Sequence, residues 1–212
     1  MWRYIKLTRK EKEQQLRKNL ILKAAKEEFA KDGYDHASMN VIAKNAEFTK
    51  RTLYKYFIDK ADLYLSVLLE IYSDLYKELS DLDFEGQTGF HQIKMIVYGF
   101  HHYYMTNFED FKIMYDIGKV RQLTDNEKIL QFVKIDREIT QIIIECIIKG
   151  QTDGSITNNQ PANDLAVHLK FMLTAVFNQL TVTGESFTKH IGKTQENFTN
   201  ELIGLILLPL KC

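Results

Sequence analysis

The sequence predicts an all-α protein: a small N-terminal three-helix unit holding a helix-turn-helix, then a larger helical domain, with about nine helices in total. Three observations carry this prediction. Apolar residues recur at i, i+3 and i+4 along most of the chain, no segment alternates with period two, and only 2 prolines and 10 glycines interrupt 212 residues.

The elements follow in order. Thr8 and Glu11 have the spacing of a capping box and open the first helix. Leu16, Leu20 and Ala24, with Ile21, Ala25 and Phe29, lay down its apolar stripe, and Gly33 closes it because glycine accepts the left-handed conformation. Ser38 is placed to cap a short helix Met39–Asn45, and Thr49 to cap a third, Lys50–Phe57. The tight turn Ala46-Glu47-Phe48 between them gives the helix-turn-helix layout. Asp59 then caps a long fourth helix reaching about Ser80. A polar loop with Gly86 and Gly89 follows, and further helices are expected at 90–106, 109–121, 125–149, 161–183 and 187–208. The breaks between the last three are read at Gly150–Gly154 and at Gly184. The domain boundary is set at residues 1–62 and 63–212.

Composition removes several classes of function. Cys146 and Cys212 form neither a disulfide framework nor a metal-ligand spacing. His101 and His102 are adjacent, so they point about 100° apart on a helix and make no i, i+4 metal pair. No nucleophile–base set or phosphate loop is visible, and neither an enzyme nor a bound cofactor is expected. The charged start lacks a secretory apolar stretch, and the longest apolar run, Leu202–Leu210, is half a membrane span, so a cytoplasmic chain without membrane contact is expected. The zero net charge hides a polarity: residues 1–62 hold 15 Lys and Arg against 9 Asp and Glu, and the rest of the chain is acidic in compensation. Such an asymmetry suits one end approaching a polyanion.

The third helix carries the chemistry. Leu53 and Phe57 are one turn apart and face inward against Ile42, Ala43 and Ala46. Lys50, Arg51, Thr52, Tyr54, Lys55 and Tyr56 then face outward, three cations, two phenols and a hydroxyl with no acid among them. Lys and Arg reach guanine edges or phosphates, Thr methyls meet thymine methyls, and tyrosine hydroxyls bond phosphate oxygens. Thr49 leaves backbone N–H groups at a positive dipole end. Lys60 opposes the dipole of the next helix, a sign that a phosphate beside it would reverse.

Residues 17–64 resemble the DNA-binding domain of the TetR family of bacterial transcriptional regulators. The resemblance lies in Ala24-Ala25, Phe29, Gly33-Tyr34, Ser38, Ile42-Ala43, Ala46, Thr49-Lys50, Thr52-Leu53-Tyr54, Tyr56-Phe57, Lys60 and Leu63. It implies a homodimer on a roughly palindromic double-stranded operator, usually a repressor released by a small-molecule effector. Base contacts are implied for Lys50, Arg51 and Lys55, and phosphate contacts for Ser38, Thr49, Thr52, Tyr54, Tyr56 and Lys60. The chain departs from the family at Glu47, where glycine is usual, and at Arg51, where a small residue is usual.

The second domain would serve dimerisation and effector binding. The helix from Pro161 is apolar on most faces, so it is buried on most faces. Leu169, Met172, Val176, Leu202 and Ile206 are the candidate residues for a four-helix dimer interface, against a central core helix as the alternative. Tyr98, His102, Met105, Met114, Tyr115 and Phe171 are the candidates for an effector pocket, with core packing as the alternative. Two other functions stay open at this point: a DNA-binding regulator without small-molecule control, and an all-helical carrier or enzyme.

Overall fold

The structure is a computed structural model that describes residues 8–118 and 127–211. Among them are nine α-helices and no strand: α1 Arg9–His36, α2 Met39–Asn45, α3 Lys50–Leu53, α4 Lys60–Ser80, α5 Gly89–Thr106, α6 Phe108–Tyr115, α7 Glu127–Asp153, α8 Ala162–His190 and α9 Gln195–Leu207. A 3₁₀ turn, Leu208–Lys211, follows α9. The helix boundary expected between 121 and 125 lies outside the described residues.

The capping box at Thr8 forms in both directions: Thr8 N–H donates to Glu11 at 2.7 Å and Glu11 N–H donates to the Thr8 hydroxyl at 3.3 Å. The Thr8 N–H and, at 2.9 Å, the Thr8 hydroxyl both donate to the Glu11 carboxylate and hold it below its ordinary pKa. Gly33, at φ 69°, breaks the helical path, and one further turn runs to His36. The apolar stripe of α1 starts later than the sequence predicts. Leu16 is 61% and Leu20 45% exposed, and burial begins at Ile21. The first turns of α1, residues 8–17, are exposed and bury no apolar side chain.

Behind that arm, Ile21, Ala25 and Phe29 close on Ile42, Ala43, Leu53 and Phe57, all buried. The long α4 carries this small core into the larger bundle, packing on α1 on one side and most extensively on α7 on the other. Phe29 and Tyr34 both meet the Tyr64 ring edge-on, at 5.0 and 5.1 Å. The Tyr64 hydroxyl donates to the Ile113 carbonyl in α6, and burial pushes its pKa up.

Helix α6 joins the two parts. Its Asp110 receives the Lys26 ammonium of α1 at 2.6 Å and the Tyr103 hydroxyl of α5 at 2.9 Å. Asp116, just beyond it, accepts the buried Tyr34 N–H at 2.8 Å, one residue after the Gly33 break. Phe100, Tyr103, Tyr104, Phe111 and Phe177 fill the bundle centre with ring contacts of 5.0–6.2 Å. At the other end of α5, Gly89 lies directly on α7: a Cβ there would stand 2.0 Å from Gly150 N and 2.5 Å from the Cys146 carbonyl. Cys146 is buried, and desolvation raises its thiol pKa to about 11, so it is inert at neutral pH.

Two expectations are corrected in the C-terminal part. Gly184 does not break a helix. It is a buried position inside α8, where its missing side chain leaves room for Gln195 and Leu180, and the break falls at Gly192 with φ 70°. The expected absence of any run long enough to span a membrane also needs amending, because α8 is long and apolar enough by length and composition alone. In the fold, its Leu165, Ala166, Leu169, Leu173, Phe177 and Leu180 are buried in the bundle. One side of it remains uncovered in the single chain, where Val167, Phe171 and Val182 are exposed, and Phe187 is exposed on another side, in a groove against α9.

Candidate nucleic-acid interface

The interface is built from the turn upward. Phe48 N–H donates to the Ala43 carbonyl at 2.8 Å and Ala46 N–H to the Ile42 carbonyl at 2.9 Å, so the chain reverses immediately after α2. Glu47 takes the left-handed conformation, with φ 60°. The position therefore keeps the backbone shape that favours glycine while carrying a side chain. Thr49 caps α3, its hydroxyl accepting Thr52 N–H at 3.1 Å and pairing with the Thr52 hydroxyl at 2.9 Å. Regular helix covers only Lys50–Leu53, one turn less than the sequence predicts. The chain continues in turns, with Lys55 N–H on the Thr52 carbonyl and Phe57 N–H on the Leu53 carbonyl.

Leu53 and Phe57 are buried, which fixes the rotation of the segment. Lys50, Arg51, Tyr54 and Lys55 are exposed, and Thr52 and Tyr56 half-buried. Lys50 stands over the Tyr54 ring at 6.0 Å. Among the described residues no salt bridge engages Lys50, Arg51 or Lys55. A face of this kind can meet phosphates and base edges without first breaking internal ion pairs.

Two flanking residues sit differently from their sequence-based roles. Ser38 precedes α2 but makes no side-chain cap, and its backbone N–H instead donates to the buried Glu28 carboxylate at 3.0 Å. Lys60 turns away from its own helix start. Its ammonium donates to the Asp35 and Ala37 carbonyls at 3.0 and 3.3 Å and lies 4.8 Å from the Tyr34 ring centre. At the C-terminal end of α1 the helix dipole attracts a cation, which offsets the repulsion at the start of α4. The sequence did not single out Lys10, Gln14 and Arg17, yet these line an open cleft of about 350 Å³ with Thr52, Lys55 and Tyr56. Their spacing of three to four residues on one face of α1 was the available signal.

Of the six residues expected to form an effector pocket, the five whose side chains are described do not come together. Tyr98, His102 and Met105 lie on the solvent side of α5, and Phe171 is 75% exposed on α8. Met114 is buried in the core, and the Tyr115 side chain lies outside the described residues. Helical phase explains this. Residues 98, 102 and 105 share one face, and Ile93, Val97, Phe100 and Tyr104 hold the inner one. Of the interface candidates, Leu169 and Ile206 are buried within the single chain. Met172, Val176 and Leu202 are half-buried beside the exposed strip of α8.

Comparison with known proteins agrees with this geometry. Residues 21–67 match the family of bacterial regulatory proteins, tetR family. An uncharacterized HTH-type transcriptional regulator, YhgD of Bacillus subtilis strain 168, is 26% identical over 163 residues, which span 76% of this chain and 83% of the relative. A tetR-family regulatory protein from Rhodococcus RHA1 superposes with a TM-score of 0.74 at 18% identity, covering 92% of this chain and 97% of that one. The regulator FadR of Bacillus subtilis, solved with stearoyl-CoA, superposes at 0.68 with 16% identity, covering 90% and 98%. The matched segment contains the turn, the capped α3 and its outward cations, and it identifies residues 21–67 as a helix-turn-helix DNA-binding segment of the tetR-family type.

Proposed function

We propose that the protein works as a cytoplasmic homodimer that binds a palindromic operator and represses transcription until a small molecule releases it. Residues 1–62 would read DNA, and residues 63–212 would dimerise and take the effector. The observation that carries this reading is the rotation of α3: burying Leu53 and Phe57 turns Lys50, Arg51 and Lys55 outward. Base contacts are assigned to these three, and phosphate contacts to Ser38, Thr49, Thr52, Tyr54 and Tyr56. Lys60, already bound to the end of α1, would supply charge to the same surface.

Dimerisation is assigned to the uncovered strip of α8 and the adjoining side of α9. Phe171, Val182 and Leu205 are exposed on these helices, and Val176, Leu180, Phe187, Phe198 and Leu202 line a shallow apolar groove of about 270 Å³ between them. Exposed large aromatic and aliphatic side chains beside an apolar groove suit a face buried against its own copy. The FadR structure with stearoyl-CoA favours an acyl thioester as the first effector class to test. Its route to the DNA-reading part would run through α6, which touches α1 on one side and the aromatic centre on the other.

The test is selection of duplexes from a randomised pool, followed by binding measurements with Lys55→Ala. Base reading predicts a change of sequence preference and a loss of about 1–3 kcal/mol on the selected site. Equal weakening on all sequences would remove Lys55 from the base-reading set, and a pool that never enriches would end the operator reading. Sedimentation of Phe171→Glu checks the second half. A dimer that persists unchanged contradicts the assigned face.

A further inference from the structure

We infer that the first three turns of α1 form an arm that grips the sugar–phosphate backbone beside the groove entered by α3, with Lys10 as a phosphate contact. The inference rests on the DNA-reading role of α3 and adds an element to it.

Residues 8–17 of α1 are all exposed, so burial does not explain why the helix begins so early. The arm nevertheless runs alongside the end of α3. Lys10, Gln14 and Arg17 share the open cleft of about 350 Å³ with Thr52, Lys55 and Tyr56. Across Gln14 a second open cleft, about 460 Å³, places Gln15 and Lys18 against the same Lys55 and Tyr56. The lining offers ammonium, guanidinium, amide, hydroxyl and phenol groups suited to phosphate and sugar oxygens, beside the Glu13 carboxylate in the first cleft and the Glu11 carboxylate in the second.

The acids nearby are already occupied. Glu13 is held by Arg17 at 2.6 Å, and Glu11 is held by the Thr8 cap. Lys10 enters no salt bridge among the described residues, and it lines the first cleft with Lys55. With Glu13 taken up by Arg17, the Lys10 and Lys55 ammonium groups lining the same open, polar furrow favour an anion between them. A strand passing along that furrow presents one phosphate per step, which supplies that anion.

The experiment compares Lys10→Ala with Lys12→Ala. Both remove one charge from an exposed site on the same helix, but Lys12 lies about 200° round from Lys10 and lines neither cleft. Affinity for a duplex selected by the wild-type protein is measured from 0.1 to 1 M salt, with circular dichroism confirming an unchanged fold. A lost phosphate contact lowers the salt slope by about 0.9 and weakens binding roughly eightfold at 0.1 M relative to 1 M. Lys10→Ala should show this on the selected duplex and on unrelated duplexes alike, and Lys12→Ala should change affinity less than about twofold. Equal effects of the two substitutions, or no effect of either, overturn the arm while leaving α3 untouched. Failure of the wild-type protein to select any duplex strikes instead at the reading of α3.

Discussion

Replacing Glu47 with glycine should stabilise the protein, because the turn between α2 and α3 imposes φ 60° on that residue. A side-chain-bearing L-residue in the left-handed region costs about 1–2 kcal/mol through the clash of its Cβ with the following carbonyl. Glycine avoids that clash but gives the unfolded chain more freedom, a loss of about 0.5–1 kcal/mol. Glu47 is exposed, so little packing is forfeited. The net gain is about 0.5–1 kcal/mol, or roughly 1–4 °C in Tm for a chain of this size. Thermal unfolding followed by circular dichroism measures it, with Glu47→Ala as the control that removes the carboxylate and keeps the Cβ. If the alanine variant gains as much as the glycine variant, relief of backbone strain is not the cause and the argument fails.

Three further outcomes follow from contacts described above. Lys26→Ala leaves the buried Asp110 carboxylate without its cation and should cost about 2 kcal/mol, whereas Asp110→Asn frees a half-exposed lysine into water and should cost about 1 kcal/mol. Urea unfolding that ranks them the other way contradicts this account. Gly89→Ala drives a Cβ into the backbone of α7 and should cost about 3 kcal/mol or more, seen as a drop in Tm of several degrees; a neutral substitution would mean that α5 and α7 part easily. His101 has its pKa lowered, first by burial and then by neighbouring His102, with Glu196 opposing. Its folded pKa lies below the unfolded one, so the unfolded state binds the extra proton and stability falls as pH drops through about 6.5. His101→Phe should flatten the Tm profile between pH 7.5 and 5.5, and an unchanged profile would assign the loss to other groups.

How much of this was legible in the sequence depends on whether the signal was local. The Thr8–Glu11 box, the Gly33 break and the inward pair Leu53 and Phe57 depend on residues within one or two turns, and they form as read. The left-handed turn at Glu47 was not readable, because its usual marker, glycine, is missing, and the shape is held by backbone bonds to Ala43 and Lys44. Gly184 misled for the opposite reason, since a close approach by Gln195 rather than a turn accounts for it. Lys60 was placed by its own helix, but its partners are the carbonyls of another, 23 and 25 residues earlier. The pocket candidates failed on phase: an aromatic-rich helix announces burial without saying which side is buried. For α8, apolar on nearly all sides, the inward turn of Leu169 and the outward turn of Phe171 are set by α6, α7 and α9 together.

The meeting of Gly89 with Gly150 has a mechanical consequence. With no side chain between the two backbones, there is no soft layer through which α5 and α7 could slide or separate at that end. The pair behaves like the legs of a compass joined at the pivot. Any swelling of the aromatic centre must spread the free legs instead, at Thr106, where α5 hands over to α6. Expansion of the interior would thereby bear on α6, whose Asp110 carboxylate grips α1 through Lys26.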